Sequence, residues 1–206
     1  MFTDRALARI TDGLAEGGLA VVEDAVPPAI GEALQAEAEA LEAAGRWQAA
    51  AVGRAADRRI DHAIRSDRIA WLGAAVSPAQ AAYLDGLEAL TVHLRRSLFL
   101  GVHAVEAHFA CFEPGAYYTR HLDRFRLRGA RLVSTVFYLN PEWRAGDGGA
   151  LRIYDPDDED RVIAEVAPRL GTFCAFLSDR IWHEVLPAAR RRLSVAGWLR
   201  EAPAGV

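Results

Sequence analysis

The chain of 206 residues has a net charge of −4 and is 51% hydrophobic, which is enough to fill a substantial core. That balance argues against a nucleic-acid binder, and no apolar run approaches the ~18–20 residues of a membrane span. All of the positive charge is arginine, so Schiff-base and phosphate-loop lysine chemistries are excluded.

The apolar spacing of Leu7, Ile10 and Leu14 predicts a helix over 3–16, capped by Thr3 or Asp4. The charges at Asp4, Arg5 and Arg9 do not suit a secretory signal. "GGLAVVEDAV" reads as a short strand. A second helix opens at Pro27-Pro28 and stops at Gly45. Residues 46–71 are mixed: "RWQAAAV" reads as a strand, the arginine-rich stretch after it as a long loop, and "RIAWL" as a strand. Loops this long in compact domains are often lids. Ser77, Pro78 and Gln80 form a capping-box signature, and Tyr83, Leu87, Leu90, Leu94 and Leu98 make one helical stripe.

From Gly101 the period changes from 3.6 to 2. Strands are expected at 104–112, 117–123, 131–140, 149–154, 161–166, 171–177, 182–187 and 191–200, separated by turn residues. The fold class is therefore α+β. A double-stranded β-helix, or jelly roll, is expected as the core, with the N-terminal helices covering one sheet and 1–206 forming one domain. Cys111 and Cys174 lie in apolar strand-like runs. They read as buried free thiols, which favours a cytoplasmic location. The acidic run Asp155 to Asp160 lacks the ordered spacing of a calcium loop and reads as a hairpin tip.

The chemistry concentrates in "YYTRHLDRF". His121 and Asp123 are spaced i, i+2, which on a strand turns both to one face. His183 follows sixty residues later and Arg192 nine after that. Two histidines and a carboxylate suit one face of an octahedral Fe(II) ion, leaving the other face open. An HxD pair alone is weak evidence, and the strength lies in the combination. Alternation along "RRRLSVAGWLR" puts Arg192, Ser194, Ala196 and Trp198 on one face. An inward-facing arginine needs an anion, and a carboxylate would accept its planar fork. Ser134, Val136 and Tyr138 similarly share a face, and the Tyr138 hydroxyl can join the same carboxylate.

With "IRSDRIAW", "HFACFEPGAYYTRHLD", "RLVSTVFYLNPEW", "GGALRIY", "FLSDRIWHEVLPA" and "RRLSVAGW", the chain resembles the prolyl 4-hydroxylase branch of the Fe(II)/2-oxoglutarate dioxygenases. It is most similar to the hypoxia-inducible-factor prolyl hydroxylases and their bacterial relatives. The resemblance spans Ile64 to Trp198, roughly two thirds of the sequence. It implies Fe(II) on His121, Asp123 and His183, with 2-oxoglutarate and O2 as co-substrates and ascorbate as a further cofactor. It implies Arg192 and Tyr138 on the distal 2-oxoglutarate carboxylate. Tyr118, Val136, Leu151 and Trp198 would line the pocket. Arg65 and Asp67 would lie at the base of a lid over about 53–66, with Asp67 pairing Arg131 on closure. His108, on the face of Ala110 and Phe112, is a further pocket candidate. The implied reaction is hydroxylation of a prolyl residue in a protein or peptide, with release of succinate and CO2. Elongation factor Tu is an example of such a partner, and neither nucleic acid nor membrane is implied.

Two residues depart from the pattern. Phe112 stands where the family often has tyrosine, and Ala196 stands where it has a hydroxyl-bearing residue. Carboxylate binding would then lean on Arg192 and Tyr138. The rival readings are a small-molecule hydroxylase, a nucleic-acid demethylase and a non-catalytic metal-binding jelly roll. A demethylase would want a second arginine where Trp198 stands.

Overall fold

The computed structural model describes residues 1–51, 59–73, 76–123 and 131–202. Three helices come from the first half. Helix α1 (Asp4–Gly17) is capped by Thr3, whose Oγ1 accepts from the Ala6 amide at 3.2 Å, and it ends on Gly18 at φ 74°. Helix α2 (Pro28–Ala43) opens on proline, which costs no hydrogen bond in a first turn. Helix α3 (Pro78–Ser97) is capped by Ser77, which accepts from the Gln80 amide at 3.1 Å. The Gln80 side chain does not complete the expected box. It donates instead to Glu37 of α2 at 2.7 Å and so ties the two helices together.

The strands are β1 (Leu19–Val22), β2 (Gln48–Ala49), β3 (Arg68–Trp71), β4 (Val102–Phe112), β5 (Tyr118–His121), β6 (Arg131–Tyr138), β7 (Leu151–Tyr154), β8 (Val162–Val166), β9 (Phe173–Leu177), β10 (His183–Val185) and β11 (Arg192–Glu201). They form a seven-stranded sheet in the order β1-β9-β6-β11-β4-β3-β2 and a four-stranded sheet in the order β5-β10-β7-β8. All the ladders are antiparallel. This is the α+β, double-sheet core that the alternation predicts, enlarged by three early strands that join the major sheet.

Each face of the major sheet has its own core. On one side Leu87, Leu90 and Leu94 of α3 and Leu34 of α2 meet Phe109, Phe137, Leu193, Val195 and Leu199. Burial of each leucine contributes roughly 2 kcal/mol. Helix propensity supplies only tenths of that per residue, so packing holds α3 in place. On the other side Tyr138, Cys174 and Phe176 face Leu151, Ile153 and Val185 of the minor sheet. The alternation on β11 runs as expected: the odd-numbered apolar residues go to the helices, and Arg192, Ser194, Ala196 and Trp198 go between the sheets. Both cysteines are buried and free. No helix of the described residues is long and apolar enough to cross a membrane.

Residues 53–58 of the expected lid lie outside the described residues. Its C-terminal part is tied to the minor sheet: the Ser66 amide donates to Tyr117 O at 3.1 Å and the Thr119 amide to Ile64 O at 2.9 Å.

Candidate metal centre

The pairing of β5 with β10 sets His183 opposite His121. The strand stops at His121, two residues short of the predicted end, so Asp123 comes from the bend beyond it rather than from the ladder. The chain still returns its carboxylate to the histidines. The candidate ligand atoms of His121, Asp123 and His183 lie within 4.8 Å of one another. Each histidine Nε2 stands 3.8 Å from a carboxylate oxygen of Asp123.

Main-chain carbonyls fix the imidazole tautomers. His121 Nδ1 lies 2.7 Å from Thr119 O and His183 Nδ1 3.0 Å from Ile181 O. A carbonyl only accepts, so each Nδ1 carries the hydrogen and each Nε2 presents a lone pair to the centre. Burial, reinforced by His183, lowers His121 to about 3, which keeps its ring neutral. Burial pushes the Asp123 carboxyl up, but its interactions with His183 and His121, the Arg131 charge and a Ser134 hydrogen bond outweigh it, so the carboxylate stays ionised. Asp123 Oδ2 accepts from Ser134 Oγ at 2.6 Å and from Trp198 Nε1 at 2.9 Å. Ser134 Oγ in turn lies 2.8 Å from Ser178 Oγ. Ser134 and Ser178 had no role from sequence. The signal was there, since a serine on the buried face of β6 needs a polar partner.

The triad opens on a cavity whose lining includes Arg65, Asp67, His108, Tyr118, Val136, Leu151, Arg192 and Trp198. Arg192 is 1% exposed. Its Nε donates to Gly149 O at 2.9 Å and its Nη1 to Ser194 Oγ at 3.4 Å. The rings of Phe112 and Tyr138 each lie 5.0 Å from its guanidinium carbon. Burial lowers its pKa, and among the described residues no carboxylate pairs with it. The buried Tyr138 hydroxyl, behind the cavity wall, also lacks a hydrogen-bond partner there. A buried cation beside an idle hydroxyl is a costly arrangement unless an anion completes it. The donor set and this orphaned pair thus fit a metal ion and an acidic chelator together.

Tyr118 stacks on His121 with centroids 3.5 Å apart, and the Arg65 guanidinium covers its other side at 4.3 Å. Asp67 does not pair with Arg131 as expected. Its fully buried carboxylate takes Arg65 in two hydrogen bonds of 2.7 and 2.6 Å, because residues two apart on an extended segment share a face. Arg131 instead binds Glu106 at 2.8 Å and lies 3.4 Å over the Trp198 ring. It stands outside the cavity lining and braces Trp198 from behind. A second close group, Glu42, Cys111 and Glu113, is a poor metal site. Arg68 and Arg191 already pair its carboxylates, and burial pushes the Cys111 thiol up to about 12.

The 2OG-Fe(II) oxygenase superfamily matches residues 107–200. Human Egl nine homolog 1 is 30% identical over 207 aligned residues, covering 96% of this chain and 47% of that protein. The chain spans about half the length of the curated relatives it matches. Among solved structures, a Pseudomonas putida prolyl-4-hydroxylase superposes with a TM-score of 0.86 at 38% identity, over 96% of this chain and 100% of that one. A Trichoplax adhaerens prolyl hydroxylase, in complex with a hypoxia inducible factor peptide fragment, superposes at 0.80 with 25% identity over 96% and 90%.

Proposed function

Because this chain belongs to the 2OG-Fe(II) oxygenase superfamily, we propose that it hydroxylates a prolyl residue of a protein or peptide and releases succinate and CO2. Iron and 2-oxoglutarate, when bound, supply the oxidising power: one atom of O2 goes to succinate and the other to the substrate carbon. The protein supplies position, charge and dryness. His121 and His183 would hold Fe(II) through Nε2 and Asp123 through its carboxylate. Arg192 would take the far carboxylate of 2-oxoglutarate in its planar fork, with a hydrogen bond from Tyr138. Tyr118 and Val136 would flank the co-substrate. Leu151, Trp198, Arg65, Asp67 and His108 would shape the substrate end, with Arg131 behind Trp198. The observation that carries this reading is the buried Arg192, which no carboxylate pairs among the described residues, in the same cavity as the three donors and backed by the buried Tyr138.

The peptide bound to the Trichoplax relative supports a polypeptide substrate. A translation factor such as elongation factor Tu is the first protein to test, on the resemblance to the bacterial branch. Ascorbate is the reductant expected to sustain turnover, and the two free thiols favour the cytoplasm. The test is succinate formation in air with Fe(II) and 2-oxoglutarate, with a cell lysate scored for peptides gaining one oxygen. His121→Ala and Arg192→Ala should both abolish succinate. An iron-loaded protein that makes none, with or without lysate, is a metal-binding module and not an oxygenase.

A further inference from the structure

His108 is 3% exposed, yet its ring lines the cavity shared by the triad. It lies against Trp71, with centroids 5.1 Å apart at 81°, and against Trp198, at 5.3 Å and 53°. Its Nδ1 is 3.0 Å from Phe109 O. That carbonyl only accepts, so Nδ1 carries the hydrogen and Nε2 is left as a lone pair. Burial, and then the charge of Arg65, lowers the ring to about 4, so it is neutral and Nε2 stays an acceptor.

No described side chain donates to that lone pair. The nearby donors are engaged elsewhere: Trp198 Nε1 with Asp123, Arg65 with Asp67, and Arg131 with Glu106. An acceptor on a ring that lines the cavity can take a donor that arrives with the ligand. Its place in the sheet shows from which side. Trp71, His108, Ala196 and Val136 are in register across β3, β4, β11 and β6. Trp71 is 44% exposed at the outer end of the row. A chain entering over Trp71 meets His108 before it reaches the metal ligands.

We infer that His108 Nε2 is a substrate-recognition acceptor, taking a hydrogen bond from a main-chain N–H beside the reacting prolyl residue. This rests on the prolyl-hydroxylation reading above. Proline has no N–H, so the donor belongs to a neighbouring residue. The preferred substrate is therefore a polypeptide in which the target proline is flanked by residues other than proline.

The experiment presents protein, Fe(II), 2-oxoglutarate and air with short synthetic peptides holding one central proline. One set has non-proline flanks and the other has prolines on both sides. His108→Phe keeps the aromatic packing and removes the acceptor, so it should raise KM for the first set about tenfold, with a smaller change in kcat. His108→Gln, which restores an oxygen acceptor, should recover most of that loss. The wild type should favour the first set over the second about tenfold, and His108→Phe should not. Equal KM values for wild type and His108→Phe overturn the role of His108. Succinate without any oxidised peptide overturns the peptide substrate and this role with it, leaving the oxygenase standing. Absence of succinate sinks the oxygenase reading itself.

Discussion

At the level of single residues, the candidate ligand Asp123 is held as firmly as the two histidines. Ser134 and Trp198 both donate to Asp123 Oδ2, so the carboxylate has one orientation before a metal arrives. Removing such an outer partner commonly costs about 10–100-fold in metal affinity. Ser134→Ala should therefore weaken Fe(II) binding by about that factor in an anaerobic titration, while the far-ultraviolet circular dichroism is unchanged. His108 makes a second prediction. Its folded value of about 4 lies below the ordinary 6.5, so below pH 6.5 the unfolded chain binds the extra proton. Its contribution is complete above that pH and lost as the pH falls toward 4, roughly 3 kcal/mol in all. Urea unfolding at pH 7 and pH 4.5 should show wild type losing more stability than His108→Phe. The residue types at the centre were legible because HxD, the later histidine and the inward arginine have few other uses together. The Arg65–Asp67 pair was not, because sequence does not say which of several arginines a buried carboxylate will reach first.

Among the elements, α1 shows how closely helix and sheet approach. A Cβ on Gly13 would stand 2.6 Å from Leu19 O and 2.9 Å from Ala20 Cβ, whereas one on Gly17 meets nothing within 4 Å. Alanine is preferred over glycine in a helix by about 1 kcal/mol, so Gly17→Ala should raise the melting temperature. Gly13→Ala gains the same propensity but presses on the backbone of β1, which cannot swing aside, so it should lower the melting temperature. Either substitution with the opposite sign would contradict this packing. Period and capping residues placed nearly every helix and strand in advance. Partner choice was harder to read: Gln80 had a local role on offer and took a tertiary one with Glu37. Likewise the strand holding His121 ends before Asp123, since alternation marks where a strand can run and pairing decides where it stops.

For the whole molecule, the two sheets divide the work. The three donors come from β5, the bend after it, and β10 on the minor sheet, while Arg192 and Tyr138 stand on β11 and β6 of the major sheet. A chelator reaching from the metal to Arg192 would join the two walls. Alternation and turn residues indicated a double-sheet jelly roll, but the order of strands within it was not legible, because it depends on contacts between residues far apart in the chain. That order has a consequence for synthesis. β11 follows every other strand of the described residues in sequence, yet it sits in the middle of the major sheet between β6 and β4. Until it leaves the ribosome the sheet exists only as two halves, β1-β9-β6 and β4-β3-β2, each with an unpaired edge open to other chains. Closure must wait for a long-range pairing, from Arg192 back to Phe112 and Glu201 back to Val102, which is slow to form. A nascent chain that still lacks β11 should therefore be prone to aggregate through those edges.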